Sequence, residues 1–170
     1  EKGELDIDIK VLITNKDDAG CIKRAESVKI PHKIIRGKDF SQKELFELEI
    51  INTLNNYDVE LIVMAGWMKI VTPFFINKFK NKIINIHPSL LPAYKGGTAI
   101  NDSLVNGSKI TGCSVHFVEE EVDSGSLIMQ AALSIRDDDD IESLSKRIQI
   151  LEHKILPHSI SHAGFLIRSN

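Results

Sequence analysis

The chain has 170 residues, of which 42% are hydrophobic and 26% charged, enough for one globular domain and hardly for two. This composition excludes a disordered chain, a collagen-like repeat and a disulfide-stapled miniprotein. The net charge of −3 provides no bulk positive field for nucleic acid, and no apolar run approaches the ~20 residues of a bilayer-spanning helix. Cys21 and Cys113 match no metal or redox spacing and suit a reducing cytosol. We therefore expect a cytoplasmic protein that binds neither nucleic acid nor a membrane.

Short β-branched runs alternate with segments of helical period along the first half of the chain. Strands are predicted at 9–13, 32–35, 59–65 and 82–86, and helices at 19–28, 42–56 and 73–79. Ser41 is expected to cap the second helix, with Glu44 at the capping-box position. The buried face of that helix is predicted from its aliphatic spacing: Leu45, Leu48, Ile51 and Leu54.

The second half continues with a helix near 98–106 and two strands near 111–118 and 127–135. Asp137–Asp140 then precede a long helix, and these carboxylates are expected to cap its free N–H groups. The whole pattern predicts an α/β protein with a doubly wound, mostly parallel sheet whose later strand pair lies at an edge. No repeat or linker divides the chain, so 1–170 is expected to form one domain.

No metal site is predicted from the sequence. The acidic run Asp137–Asp140 lacks the alternating ligands and the glycine of a calcium loop. His158 and His162 would share one helical face, but no third ligand accompanies them.

The segment Asn85-Ile86-His87-Pro88 carries the residues best suited to chemistry. Asn85 and His87 are two apart on a predicted strand, so their side chains point to one face at its carboxyl end, where open α/β sheets bind ligands. Asp123 follows an acidic loop and is the natural third member, because a carboxylate beside an imidazole favours a protonated, hydrogen-bond-donating histidine. A structural strand end or a simple turn remains the alternative for each residue taken alone.

Four stretches around these residues resemble the phosphoribosylglycinamide formyltransferases, a family of folate-dependent enzymes. They occur in the family's order over almost the whole chain: 65–71, 85–92, 114–118 with 123–125, and 151–157. The combination of Asn85, His87 and Asp123 with a prolyl loop is specific to enzymes that handle folate formyl groups.

The resemblance implies transfer of a formyl group from the co-substrate 10-formyltetrahydrofolate to the amine of glycinamide ribonucleotide, in de novo purine synthesis. It implies direct attack by the amine, with neither a metal nor a covalent intermediate. Asn85 and protonated His87 would stabilise the oxyanion, supported by Asp123. The implied fold is the Rossmann-like formyltransferase fold, as a monomer or a homodimer.

The same resemblance implies two sets of binding residues. The folate would contact residues from three parts of the chain: Lys43, then Met68, Lys69, Ile70 and Val71, then Asn85 with Glu119, Glu120, Glu121, Val122 and Asp123. Glycinamide ribonucleotide would contact one helical segment: Gln149, Ile150, Leu151 and Glu152. Lys43 occupies a position where the family often has an arginine.

The sequence departs from the family in two places. The family begins with a strand and a Gly-x-Gly-Ser-Asn loop whose N–H groups hold the substrate phosphate, and nothing before Asn15 matches it. We therefore expect 1–170 to be a formyltransferase domain truncated at its N-terminus. After Gly96 the chain continues with residues 97–100, Gly-Thr-Ala-Ile, where many relatives have one or two histidines.

Three alternative functions remain open. A formyltetrahydrofolate deformylase uses similar residues with water as the acceptor, although Pro88 after the histidine argues against it. A methionyl-transfer-RNA formyltransferase would carry a basic C-terminal domain for RNA, which is not seen. A non-catalytic folate- or nucleotide-binding module would follow if the phosphate loop were truly absent.

Overall fold

A computed structural model describes residues 5–169, so the ends of the predicted domain, 1–4 and 170, lie outside the described residues. The chain divides into two compact units. The first unit comprises the chain up to Glu60 together with Val71–Lys78. The second comprises Leu61–Ile70 and the chain from Phe79 onward. Each unit contains its own sheet.

The described part of the first unit contains two short strands and three helices. In chain order these are β1 (Leu12–Thr14), α1 (Gly20–Ser27), β2 (His32–Ile34), α2 (Lys43–Asn56) and α3 (Pro73–Lys78), with a 3-10 turn at Gly37–Asp39. The two strands pair in parallel, with Leu12 opposite His32. The parallel pairing follows from the helical crossover between them.

Helix α2 corrects two predictions. Its N-cap residue is Gln42 rather than Ser41, and no side-chain hydrogen bond caps it. Ile51 and Leu54 are buried as predicted, but Leu45 and Leu48 are exposed and Glu47 is buried instead. The Glu47 carboxylate accepts hydrogen bonds from the backbone N–H of Thr72, at 2.8 Å, and from its hydroxyl. The buried face therefore differs from the predicted one. The two hydrogen bonds allow the Glu47 carboxylate to be buried, and the spacing of aliphatic residues cannot predict a buried carboxylate.

The second unit contains a four-stranded sheet with two helices. Its elements are β3 (Ile62–Met64), β4 (Ile83–His87), α4 (Ala99–Val105), β5 (Ile110–Phe117), β6 (Leu127–Ser134) and α5 (Ile141–Arg168). The strand order is β3-β4-β5-β6, with β3 parallel to β4 and the last two pairings antiparallel. The α/β class and the edge position of the later strand pair are confirmed. The strands form two sheets instead of the single predicted sheet. The alternation of strand and helix segments along the sequence predicts where strands occur, but it does not predict which strands pair.

The sheet of the second unit has one apolar and one polar face. The apolar face packs against α5 in a cluster of buried side chains: Ile84, Ile86, Cys113, Val115, Leu144, Ile148, Ile155 and Ala163. The intervening positions Asn85, Ser114 and His116 are polar. Because successive side chains of a strand point to opposite faces, these polar residues lie on the face away from α5.

Helix α5 begins with a capping box. Ser143 N–H donates to the Asp140 carboxylate at 2.8 Å, and Asp140 N–H donates to the Ser143 hydroxyl at 2.9 Å. The predicted capping role of the acidic run is therefore confirmed at Asp140. The helix continues through Pro157 to Arg168. Among residues 5–169, no helix combines the length and apolar character that crossing a bilayer requires.

Candidate active site

Cross-strand register places the candidate residues side by side on the polar face. Asn85 of β4 is opposite His116 of β5, and His87 is opposite Ser114. Directly opposed residues of antiparallel strands have their Cβ atoms about 4.5–5.5 Å apart on one face. The pairing of β5 with β6 is irregular between Val115 and His116. Such a bulge can redirect a side chain beside a site.

Asp123 reaches this face from the loop between β5 and β6. Its Oδ2 atom lies 3.3 Å from His87 Nδ1, and its Oδ1 atom lies 3.5 Å from His116 Nε2. The backbone N–H of Gly96 donates to Oδ2 at 2.8 Å. The structure therefore brings together the predicted residues Asn85, His87 and Asp123, with His116 between the first and the last.

The Asp-Ser-Gly turn explains how the carboxylate arrives there. Asp123 has a φ of 50°, in the left-handed region that aspartate tolerates better than most residues. A Cβ atom on Gly125 would lie 1.8 Å from the carbonyl oxygen of Phe117, so only glycine permits this close approach. The turn is thus a local structural device, and it also delivers Asp123 to the two histidines.

Both ring nitrogens of His87 face hydrogen-bond acceptors. Nε2 lies 2.8 Å from the backbone carbonyl oxygen of Tyr94, and since a carbonyl can only accept, Nε2 carries a hydrogen. Nδ1 faces Asp123, and both side chains are less than a tenth exposed. A hydrogen on Nδ1 would be directed at the Asp123 carboxylate.

His116 is a site residue that sequence reasoning missed. Its side chain is buried, and its Nδ1–H donates to the Phe117 carbonyl at 2.7 Å. Burial lowers the pKa of His116, with the Phe117 carbonyl and Asp123 opposing that shift. The neutral ring leaves Nε2 as an acceptor. The available signal was its alternation with Ser114 on β5, which puts both on the face of Asn85.

The bare nitrogen of His116 orients the Asn85 amide. Asn85 Nδ2 lies 3.3 Å from His116 Nε2, and only the NH₂ end of the amide can donate to that atom. One amide hydrogen is used by His116. The second hydrogen on Nδ2 remains for a ligand on the polar face.

Sequence comparison assigns this chain to a family. The chain matches the family described as Formyl transferase over residues 1–160. The chain belongs to the formyl transferase family. The trifunctional purine biosynthetic protein adenosine-3 of Chironomus tentans is 43% identical over 90% of this chain, and that of Homo sapiens is 37% identical over 89%. This chain spans 11% and 15% of the lengths of these two relatives.

Solved structures of the family share the fold. Phosphoribosylglycinamide formyltransferase from Bacillus halodurans superposes with a TM-score of 0.91 at 34% identity, covering 99% of this chain and 86% of that one. The Coxiella burnetii phosphoribosylglycinamide formyltransferase, solved in complex with CHES, gives 0.87 at 41% identity, covering 94% and 76%. The resemblance to these formyltransferases and the predicted formyltransferase fold are therefore confirmed.

The predicted folate segments occupy different parts of this formyl transferase. Met68, Lys69 and Ile70 follow β3 in the second unit, and the Met68 and Ile70 side chains are 73% and 63% exposed. Lys43, the first residue of α2, and Val71 belong to the first unit.

The acidic loop that would close over the folate runs from Glu119 to Val122. The Glu121 carboxylate forms an ion pair with Lys95 at 3.0 Å. The backbone carbonyl of Glu121 accepts a hydrogen bond from the Ser124 hydroxyl at 2.7 Å. Glu119, Glu120 and Val122 are exposed. The ion pair connects this loop to the segment that follows His87.

The predicted ribonucleotide segment, Gln149–Glu152, lies in α5. Leu151 packs against the apolar cluster, whereas Ile150 is exposed. Burial raises the pKa of Glu152, and the nearby charges of His153 and His87 partly offset this effect. Burial, together with Glu152, raises the pKa of the Cys113 thiol to about 12, so Cys113 is no nucleophile at neutral pH. Within residues 5–169, no group of three His, Cys, Asp or Glu side chains could hold a metal.

Proposed function

We propose that this chain transfers a formyl group from 10-formyltetrahydrofolate to the amine of glycinamide ribonucleotide. The observation that carries the proposal is the cluster of Asn85, His87 and Asp123, which supplies two donors and one carboxylate on one face of the sheet. Membership of the formyl transferase family supports the formyl donor, and the names of its solved relatives support the acceptor. We propose a cytoplasmic location and a monomeric or homodimeric state.

In the first step, the ribonucleotide amine attacks the formyl carbon. A carbon–nitrogen bond forms, and the carbonyl electron pair moves to the oxygen. His87 would share its Nδ1–H between Asp123 and this oxyanion, because its Nε2–H is already directed to Tyr94. The free amide hydrogen of Asn85 is the second donor. Removing one such donor typically costs about 10²–10³ in rate.

In the second step, the bond between the formyl carbon and N10 of the folate breaks. The attacking nitrogen, which is now positively charged, loses a proton, and N10 gains one as tetrahydrofolate leaves. Asp123 is the group that can accept the first proton, directly or through one water. Its second role is to keep the His87 ring charged and oriented.

Binding is proposed to use the segments described above. Met68–Ile70 and the loop Glu119–Val122 would hold the folate, and Gln149–Glu152 would hold the ribonucleotide. Glu152 would accept hydrogen bonds from ribose hydroxyls, which would also offset the partial burial of its carboxylate. The folate contacts of Lys43 and Val71 stay predictions.

The test is to mix the full-length protein with 10-formyltetrahydrofolate, with and without glycinamide ribonucleotide, and to follow tetrahydrofolate release. Release only with the ribonucleotide supports the proposal. Release in its absence would identify a deformylase, and no release in either mixture would indicate a binding module. His87→Ala is expected to abolish transfer, and His162→Ala, which removes an exposed imidazole on α5, is the matched control.

A further inference from the structure

The loop after β4 returns its backbone to the catalytic histidine. The Tyr94 carbonyl oxygen accepts from His87 Nε2 at 2.8 Å. Tyr94 has a φ of 54°, in the left-handed region that aromatic residues rarely adopt. Such a conformation persists only where the surrounding structure holds it. Several hydrogen bonds hold the loop in this conformation.

Ser114 of β5 is the buried centre of these groups. Its hydroxyl donates to the Ser89 carbonyl at 2.6 Å. It accepts from the Leu91 N–H at 3.0 Å and from Gln130 Nε2 at 2.8 Å. A hydroxyl has one hydrogen and two lone pairs, so every hydrogen-bonding capacity of Ser114 is used.

Gln130 completes the arrangement from the edge strand. It lies opposite Ser114 in the register of β5 and β6. Its second Nε2 hydrogen donates to the Leu91 carbonyl at 3.0 Å. Because the Ser114 hydrogen is already directed to Ser89, both partners of Gln130 can only accept. The NH₂ end of the Gln130 amide is therefore the end that faces the loop.

Two further hydrogen bonds restrain the part of the loop that leads to Tyr94. The Ser89 hydroxyl donates to the Ala93 carbonyl at 2.6 Å. The Tyr94 hydroxyl lies 2.6 Å from the Ser108 hydroxyl oxygen. The loop is thus held at positions 89, 91, 93 and 94, on both sides of its prolyl turn.

We infer that Ser114 and Gln130 are positioning residues for His87. Their hydrogen-bonded clasp, defined as Ser114, Gln130 and the backbone of 89–91, holds the Tyr94 carbonyl against His87 Nε2. The ring hydrogen on Nδ1, which faces Asp123, is then the one that the formyl oxygen can share. The effect on rate rests on the proposed function, whereas the effect on the His87 ring does not.

The experiment measures the imidazole Nε2–H proton resonance of His87 by NMR, assigned by its loss in His87→Ala. Ser114→Ala and Gln130→Glu are expected to shift or broaden this signal. They are also expected to lower kcat about tenfold, the order of one lost hydrogen bond, with KM for both substrates unchanged. Ser114→Thr keeps a hydroxyl and is expected to restore both readouts. Ser159→Ala removes another fully buried hydroxyl and is the matched control.

An unchanged His87 signal in both variants would overturn the inference, even if kcat fell. A shifted signal with unchanged kcat would also overturn it. If the unmodified protein transfers no formyl group while the signal moves as expected, the proposed function fails and the clasp stands. Gln130 is exposed on an edge strand, so Gln130→Glu keeps the test open if Ser114→Ala does not fold.

Discussion

The two faces of the four-stranded sheet share the same backbone but are stabilised in different ways. On one face, side chains such as Ile84 and Val115 pack against α5 and are completely buried. On the other, His87 and His116 are also buried, yet their polar atoms are paired with carbonyls, amides and Asp123. Burying apolar area stabilises the first face, whereas the second is tolerable only because its polar groups are satisfied. Side chains that point toward α5 therefore contribute mainly to stability, and side chains that point to the opposite face are the ones proposed to carry the chemistry.

Asp123→Asn is expected to have the largest effect on the polar face. The amide cannot accept the amine proton or balance the charged His87 ring, so we expect kcat to fall about 10³-fold. The melting temperature should stay close to that of the unmodified protein, because the apolar face is untouched. Formyl transfer assays and thermal unfolding measure both. Asp137→Asn, which alters an almost fully exposed carboxylate, is the control, and retained turnover in Asp123→Asn would refute the proposed role.

Leu144→Ala tests the apolar face. The Leu144 side chain is 0% exposed within the cluster, and truncating such a residue costs about 2–5 kcal/mol of unfolding free energy. We expect urea unfolding at a lower midpoint, with kcat unchanged below the transition. Ile141→Ala, on the same helix with a half-exposed side chain, should cost much less. A selective loss of kcat in Leu144→Ala would show that the two faces are not separable.

His116→Gln tests whether the folded protein keeps His116 neutral, through the pH dependence of the free energy of unfolding. Burial lowers the pKa of His116 below its usual 6.5, so the unfolded chain takes up a proton there at a pH where the folded protein does not. The free energy of unfolding therefore falls as the pH drops below about 6.5, down to the lower pKa of the folded state. We expect a shallower fall in His116→Gln, measured by urea unfolding between pH 7 and 5.

A matched substitution isolates this effect. His162 is exposed, and His162→Gln should leave the slope as it is in the unmodified protein. Glu152 contributes a slope of opposite sign, since burial raises its pKa, but it is present in both proteins and cancels. Equal slopes in His116→Gln and the unmodified protein would contradict a neutral, buried His116.

Asp140→Ala is the smallest of these changes. It removes the carboxylate that accepts from Ser143 N–H at the start of α5, and losing an N-cap of this kind costs about 1 kcal/mol. Thermal unfolding should detect the loss, with kcat unchanged. Asp137→Ala, three residues earlier and exposed, should have little effect. Equal destabilisation by both variants would mean that general charge, not the cap, stabilises the helix.

Local patterns predicted the parts of this molecule that depend on nearby residues. The sequence predicted strands at 82–86 and near 111–118, and the acidic run predicted the cap at Asp140. Aliphatic spacing predicted the wrong buried face for α2. Glu47 is buried there because its carboxylate accepts hydrogen bonds from Thr72, which is 25 residues away in sequence. Sequence reasoning also missed His116, whose partner Asn85 is 31 residues away along the chain.

By itself, the sequence determined the α/β class, the family and the presence of Asn85, His87 and Asp123, since each depends on local pattern and residue type. Only the tertiary structure decided which acceptors these residues meet. The Tyr94 carbonyl on His87 Nε2, the neutral His116 beside Asn85 and the Ser114–Gln130 clasp all join separate segments. Hydrogen bonds require distances near 3 Å, and spacing along the chain cannot specify such distances between strands and loops that meet only on folding.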